Sequence, residues 1–157
     1  MSTRPRITFD KRGWCNACQW MEEKKHLNWN LRKKQLFKIL NQNKKKKNSF
    51  DCIVPVSGGK DGSYISHQLN KYGYNPLTVT TRPNLELELG KRNLVNFISS
   101  GFNHIHISPN ADIMQELNKL GFIHQGFPYY GWLTSVLTSI LRIAVYFNIN
   151  LIIYAED

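Results

Sequence analysis

The chain has 157 residues, 41% of them hydrophobic, and a formal net charge of +10. This length leaves room for one ordinary domain with a small appendage, and the hydrophobic content is enough to bury a core. The charge is unevenly spread, because residues 1–48 hold 14 Lys and Arg against 3 Asp and Glu, whereas residues 49–157 hold 7 against 8. This distribution excludes a uniformly basic domain and confines the basic excess to an N-terminal arm.

The N-terminal arm, residues 1–48, combines a CxxC motif with a basic helix. Residues 1–20 are predicted to be irregular, and apolar residues at helical spacing predict one amphipathic helix over residues 22–42. A run of four lysines, residues 44–47, stands just before the first predicted strand. Such an arm can recruit an acidic partner, RNA or an anionic substrate, or serve as a solvated linker.

Predicted strands and helices alternate through the rest of the chain. The strands cover residues 51–56, 76–81, 103–107 and 150–154, and the helices cover residues 63–72, 85–100, 111–120 and 130–147. Turn residues, Gly121 among them, mark the helix ends. This alternation predicts an α/β fold with a doubly wound, Rossmann-like parallel sheet, which binds its ligands at the carboxyl ends of the strands.

The most apolar stretch, residues 132–155, is long enough to be compared with a membrane span. Arg142 lies near its middle, and Asn148 and Asn150 interrupt it further. A buried helix followed by a buried strand is therefore the preferred interpretation. The first fifteen residues are polar and basic, without the apolar segment of a signal peptide, so a cytoplasmic protein is expected.

A glycine-rich segment follows the apolar run of residues 52–56. It reads Ser57-Gly58-Gly59-Lys60-Asp61-Gly62-Ser63. A strand that enters a glycine-rich turn and then a helix offers backbone N–H groups and a positive dipole end to a phosphate. The spacing is not that of a Walker A loop. It resembles the PP-loop, the Ser-Gly-Gly-x-Asp-Ser/Thr signature of enzymes that cleave ATP between its α- and β-phosphates, with Gly62 in the Ser/Thr place.

Each residue type in this segment has a physical use beside a phosphate. Gly58 and Gly59 allow a positive φ and place no Cβ between the backbone amides and the ligand. Lys60 can neutralise phosphate charge, and Ser57 and Ser63 offer hydroxyl groups. The segment therefore predicts an ATP site made by residues 57–63.

Asp61 requires a separate explanation, because phosphates repel a carboxylate. It is predicted either to cap backbone N–H groups or to bind Mg²⁺. The second predicted strand ends at the same edge of the sheet, so Thr80 is predicted as a further contact to the nucleotide. Lys60 and Asp61 are the predicted catalytic residues, with ATP and Mg²⁺ as cofactors.

Cys15 and Cys18 have the spacing of a zinc knuckle, but a structural zinc site needs four ligands. Cys52 falls in the first predicted strand and is assigned to the core. His26 is a weaker candidate for a third ligand. The pair is therefore either half of a zinc site or two free thiols.

Three segments together resemble one enzyme family. They are Thr3-Arg4-Pro5-Arg6-Ile7-Thr8-Phe9-Asp10, Gly13-Trp14-Cys15-Asn16-Ala17-Cys18, and Val54-Pro55-Val56 with the glycine-rich segment and Tyr64. They resemble the N-acetyl sugar amidotransferases, PP-loop enzymes of surface-polysaccharide (lipopolysaccharide O-antigen) and nonulosonic-acid biosynthesis, which share the Gly62 variant. Members of that family usually carry another CxxC ahead of the first segment and run well past Tyr154. An incomplete PP-loop domain over residues 49–157 is therefore expected.

The resemblance implies an AMP-forming reaction on a sugar or nucleotide sugar. The acetamido oxygen takes AMP from ATP, and ammonia then displaces AMP to leave an acetamidino group. It also implies two partners, a glutaminase subunit and a cyclase-like subunit that channels ammonia. Two alternatives stay open: a PP-loop enzyme that modifies tRNA by thiolation or lysidine synthesis, and a truncated chain that lacks activity.

Overall fold

The structure, a computed structural model, describes residues 5–45 and 49–155. Two residues of the predicted lysine run, Lys46 and Lys47, lie outside these ranges, as do the first two residues of the Thr3–Asp10 segment. The contacts divide the chain into two compact units, residues 1–41 and 42–157. In the described ranges, no helix combines the length and the apolar character needed to cross a membrane.

The first unit contains two helices where the sequence predicted one. Helix α1 spans Asn16–Lys25 and helix α2 spans Trp29–Asn43. The predicted helix over residues 22–42 is wrong at its middle, because the Asn28 side chain accepts a hydrogen bond (2.9 Å) from the Leu31 N–H and so caps a new helix. Part of the region predicted to be irregular, within residues 5–20, has regular structure: an antiparallel bridge joins Phe9 and Cys15, and α1 begins at Asn16.

The second unit alternates strands and helices. Its elements are β1 (Cys52–Pro55), α3 (Lys60–Lys71), β2 (Pro76–Thr81), α4 (Glu88–Ser99), β3 (His104–Ile107), α5 (Ala111–Gln125) and α6 (Tyr130–Tyr146). The three strands pair in parallel in the order β1-β2-β3. This architecture confirms the predicted α/β, Rossmann-like fold. Helix α3 begins at residue 60 where 63 was predicted, and α4 begins at residue 88 where 85 was predicted. The three paired strands lie within their predicted ranges.

The predicted fourth strand, residues 150–154, appears as a single parallel bridge. Ile152 pairs with Ile53 on the side of β1 that faces away from β2. The Ile53 N–H donates to the Leu151 carbonyl (2.9 Å), and the Ile153 N–H donates to the Ile53 carbonyl (2.9 Å). Only one ladder unit forms, so the segment is shorter than predicted although its position beside β1 agrees with a doubly wound sheet.

Helices cover both faces of this sheet. On one face, Ile53 and Val79 form a buried cluster with Ile140 of α6. Alternate residues of a strand point to opposite faces, so Val56 belongs to the other face. There, a Cβ placed on Gly62 of α3 would lie 3.1 Å from Val56 Cγ1, which shows that α3 packs directly on that side.

Helix α5 passes through the glycine at which the sequence predicted its end. It continues to Gln125 and terminates at Gly126, whose φ of +66° is left-handed. A Cβ on Gly121 would overlap the Tyr130 side chain at the start of α6. Gly121 therefore allows α5 and α6 to pack closely, and the prediction that the helix ends before this glycine is wrong.

The Asp51 side chain links the segment that precedes β1 to the segment that precedes β2. The residue is 5% exposed. Its carboxylate accepts the backbone N–H of Lys45 (2.6 Å) and the backbone N–H of Asn75 (2.7 Å). Both oxygens of a buried carboxylate are thus satisfied within the second unit.

Candidate functional site

The predicted phosphate loop forms a tight turn between β1 and α3. Gly58 has a φ of +79°, in the left-handed region. A Cβ at this position would lie 2.8 Å from the backbone nitrogen of Leu94 and 3.0 Å from its Cα. Glycine is therefore required at position 58 for two reasons. The turn needs a positive φ, and the backbone of α4 lies too close to the loop to leave room for a Cβ.

Gly62 is required by the packing of α3 on the end of β1. A Cβ there would lie 2.9 Å from the Pro55 carbonyl oxygen. This contact explains why position 62 is occupied by glycine. The neighbouring Ser63 hydroxyl donates to the Gly59 carbonyl (2.7 Å), so in this structure it is engaged by the backbone of its own helix.

The first turn of α3 opens onto a small polar cavity. Gly59 is the N-cap residue and has no side chain with which to cap the N–H groups of that turn. The cavity has a volume of about 130 Å³ and is lined by Pro55, Ser57, Gly59, Asp61, Gly62, Tyr154 and Ala155. It lies between the carboxyl end of β1 and the segment that pairs with β1 on its other side, which is where a doubly wound sheet binds ligands.

Asp61 lines this cavity and forms an ion pair with its neighbour Lys60. The Lys60 ammonium lies 2.6 Å and 2.9 Å from the two Asp61 carboxylate oxygens. Both side chains are largely exposed, so water screens the pair and either partner can exchange it for a ligand. Within residues 5–45 and 49–155, no three His, Cys, Asp or Glu side chains gather as a metal site.

Thr80 lies at this edge of the sheet as predicted, but its hydroxyl is engaged. It is buried and donates a hydrogen bond to the Val56 carbonyl. The Val56 N–H in turn donates to the Val79 carbonyl (2.9 Å), so β2 holds the residue that precedes the glycine-rich segment. Contact between Thr80 and a nucleotide stays a prediction.

A larger cavity lies over the carboxyl ends of β1 and β2. Its volume is about 390 Å³. It is bounded by the strand ends, by α4 and by the first half of α6, and its apolar lining includes Val56, Val79, Leu85, Leu87, Leu94, Val136 and Ile140. Pro55 and Ser57 line both this cavity and the small polar one, so the two cavities lie on either side of these residues.

Two residues that line the larger cavity, Thr81 and Trp132, each have a buried polar atom. The Thr81 hydroxyl and the Trp132 indole N–H are buried and make no hydrogen bond among the residues that the structure describes. Trp132 is not predictable as a site residue from sequence, since the pattern of residues 130–147 indicates a buried helix and gives no local sign that its first turn lies near the loop. Buried polar groups are seldom left unpaired, so both atoms are available to hydrogen-bond a ligand or a water.

The Cys15 and Cys18 thiols lie side by side, with the sulfur atoms 3.5 Å apart. Hydrogen bonding, first from the Cys18 backbone N–H, lowers the pKa of Cys15, while the hydrogen bond with Cys15 raises the pKa of Cys18. Neighbouring ligands of a tetrahedral zinc are about 3.8 Å apart. The pair therefore fits two of four zinc positions. Cys52 is fully buried in β1, and burial raises its pKa to about 12.

We expect the isolated chain to hold well under one zinc per molecule. Two thiolates supply half of the coordination that a structural zinc requires, and bound metal would exchange readily. Elemental analysis after dialysis against a chelator measures this, with Cys18→Ser as the test variant and Cys52→Ala as the control. A full equivalent of zinc that survives the chelator would show that further residues, His26 first, complete the site.

Comparison with known proteins does not assign this chain to a family. No family model matches the sequence, and no curated protein matches it. Among solved structures, the chain is similar to a predicted subunit of a tRNA methyltransferase from Methanocaldococcus jannaschii, with 23% identity and a TM-score of 0.47. The match covers 67% of this chain and 52% of that one, so the chain spans about half the length of this structural relative.

Proposed function

We propose that the chain binds ATP at residues 57–63 and serves as the ATP-binding part of an N-acetyl sugar amidotransferase. The main support for a nucleotide site is the geometry of residues 57–63. Side chains are excluded at Gly58 and Gly62 by backbone atoms, and the uncapped turn of α3 faces a small cavity. The choice of family rests on the resemblance of the N-terminal and loop segments.

The two cavities suit the two halves of ATP. The small cavity offers backbone N–H groups, the Ser57 hydroxyl and a helix N-terminus to the β- and γ-phosphates. The larger cavity offers an apolar slot of about 390 Å³ to the adenosine. Because Ser57 borders both, the α-phosphate falls at the junction, where an acceptor can attack it.

The proposed chemistry proceeds in two displacements. The oxygen of an acetamido group attacks the α-phosphorus of ATP, and pyrophosphate leaves to the loop. Ammonia then attacks the activated carbon, and AMP leaves to give an acetamidino group. Lys60 neutralises charge on the departing pyrophosphate, and Asp61 would hold a Mg²⁺ ion, which would neutralise phosphate charge. Binding of ATP and Mg²⁺ would therefore require the Lys60–Asp61 ion pair to separate, which the exposure of both side chains permits.

The substrate and partners of this proposal follow from the same resemblance. The acceptor is a sugar or nucleotide sugar with an N-acetyl group. A glutaminase subunit supplies ammonia, and a cyclase-like subunit conducts it. ATP and nucleotide sugars are cytoplasmic, which is where we place the reaction.

Lys60→Ala and Asp61→Ala are expected to weaken ATP binding at least tenfold without lowering the melting temperature. Both side chains are exposed, so they contribute little to folding, whereas each contacts the charged end of the nucleotide. Calorimetric titration with Mg·ATP measures the change, and Lys71→Ala at the other end of α3 is the control. Unchanged affinity in both variants would remove the site from this loop. ATP binding without pyrophosphate release would favour the inactive-chain alternative.

Modification of tRNA is the second candidate, favoured by the surface of the first unit. Cationic groups lie over two exposed indoles, Arg12 over Trp14 at 4.4 Å and Lys24 over Trp20 at 5.3 Å, an arrangement suited to stacked bases. Residues 49–157 hold 7 Lys and Arg against 8 Asp and Glu, so the predicted catalytic part of the chain has no basic excess of its own. The sugar amidotransferase is therefore preferred.

We expect tRNA binding to be weak and to disappear at physiological salt. Each phosphate neutralised by the protein steepens the salt dependence, and an arm without a basic catalytic face gives only non-specific binding. Filter binding of tRNA across a salt series measures this, with Lys34→Glu/Lys38→Glu as the variant that removes charge from α2. Tight, tRNA-selective binding at physiological salt would favour the second candidate.

A further inference from the structure

The wall of the larger cavity beside α6 contains two polar groups that have no part in the proposed phosphate site. Thr81 is 7% exposed, and its hydroxyl has no partner in the described part of the chain. The same is true of the buried N–H of Trp132, and both residues line the cavity. An unpaired polar group in an apolar setting is costly unless a ligand completes it.

The fold brings these two residues to the same wall. Val79 packs against Ile140 of α6, and Thr81, two residues further along β2, points to the same face of the sheet. Trp132 lies eight residues before Ile140, about two helical turns closer to the start of α6. Helix α6 therefore runs back along β2 and places Trp132 at the carboxyl end where Thr81 stands.

We propose that Trp132 and Thr81 recognise the base of the bound nucleotide, with the indole closing the slot and the two polar groups meeting the edge of the base. This inference rests on the proposed ATP site and adds the residues that select the base. Both polar atoms are buried in the structure. The indole ring must therefore rotate before these atoms can contact a base.

The chemistry of the wall fits a heterocyclic base better than a phosphate or a free sugar. An indole N–H is a donor only, a threonine hydroxyl both donates and accepts, and a purine edge offers both kinds of partner. The remaining lining is mostly apolar, which suits a flat ring and disfavours a dense set of hydroxyls. Phosphate charge is met on the other side of Ser57, at the loop.

Tryptophan fluorescence tests the part assigned to Trp132. The chain has four tryptophans, and Trp14, Trp20 and Trp29 all lie in the first unit. ATP is expected to change the emission, tripolyphosphate, which has no base, is expected not to, and Trp132→Phe should abolish the ATP signal. Trp29→Phe is the control and should keep it. An equal signal with tripolyphosphate, or one that persists in Trp132→Phe, would overturn the proposal.

Base selection tests the part assigned to Thr81. Calorimetric titrations with ATP, GTP and CTP rank the bases for the native chain, for Thr81→Val and for Thr81→Ser. Thr81→Val should lose about tenfold in preference for the best base, the cost of one hydrogen bond, while Thr81→Ser should retain it. Tripolyphosphate affinity should not change. An unaltered ranking in Thr81→Val would overturn the proposal, whereas failure of both ATP and tripolyphosphate to bind the native chain would overturn the phosphate site itself.

Discussion

Gly58→Ala is expected to abolish ATP binding and to lower the free energy of unfolding by about 3 kcal/mol. The residue has a φ of +79°, which an alanine adopts at a cost of about 1 kcal/mol. The added Cβ would also lie 2.8 Å from the backbone nitrogen of Leu94, so the loop or α4 must move. Either shift displaces the amides that are proposed to hold the phosphates. Urea denaturation and ATP calorimetry measure the two effects.

Gly73→Ala is the matched control for this substitution. Gly73 has almost the same φ, +78°, but the nearest atom to an added Cβ is the end of the Lys44 side chain at 3.9 Å. This variant should therefore lose only the conformational part, about 1 kcal/mol, and keep its ATP affinity. If the two variants were equally stable and both bound ATP, close approach of α4 to the loop would not be what requires Gly58.

Asp51→Ala is expected to lower the free energy of unfolding by about 3 kcal/mol. It removes a buried carboxylate that accepts the backbone N–H groups of Lys45 and Asn75, and it leaves both donors unpaired. Asp51→Asn keeps one acceptor oxygen and should lose about half as much. Urea denaturation measures the change, with Asp112→Ala at an exposed position in the first turn of α5 as the control. A loss no greater than that of Asp112→Ala would contradict the anchoring role.

The fold was predictable from sequence where local pattern and tertiary structure agree. The strands beginning near residues 52, 76 and 104 were recognised because each is a short apolar run bounded by turn residues. The errors lie where a single side chain changes the outcome. Asn28 caps a new helix inside a pattern that reads as continuous, and Gly121 permits close packing where glycine usually marks an end.

The candidate site was predictable only in part. Residues 57–63 are contiguous and carry their own signature, so sequence analysis selected them together. Tyr154 and Trp132 border the same pair of cavities but come from distant segments. No local pattern marks them, because a tyrosine at a strand end and a tryptophan in an apolar helix are ordinary core residues until the fold places them beside the loop.

The sequence by itself determined the α/β alternation and the position of the glycine-rich loop, since both depend on residues close together in the chain. Tertiary structure alone decided why Gly58 and Gly62 lack side chains, because the obstructing atoms belong to Leu94 and Pro55. It also decided that Thr80 supports the loop through Val56 and that Thr81 and Trp132 share a cavity wall. Most of these contacts join different elements of the fold, and local sequence pattern does not show how α3, α4 and α6 pack around the sheet.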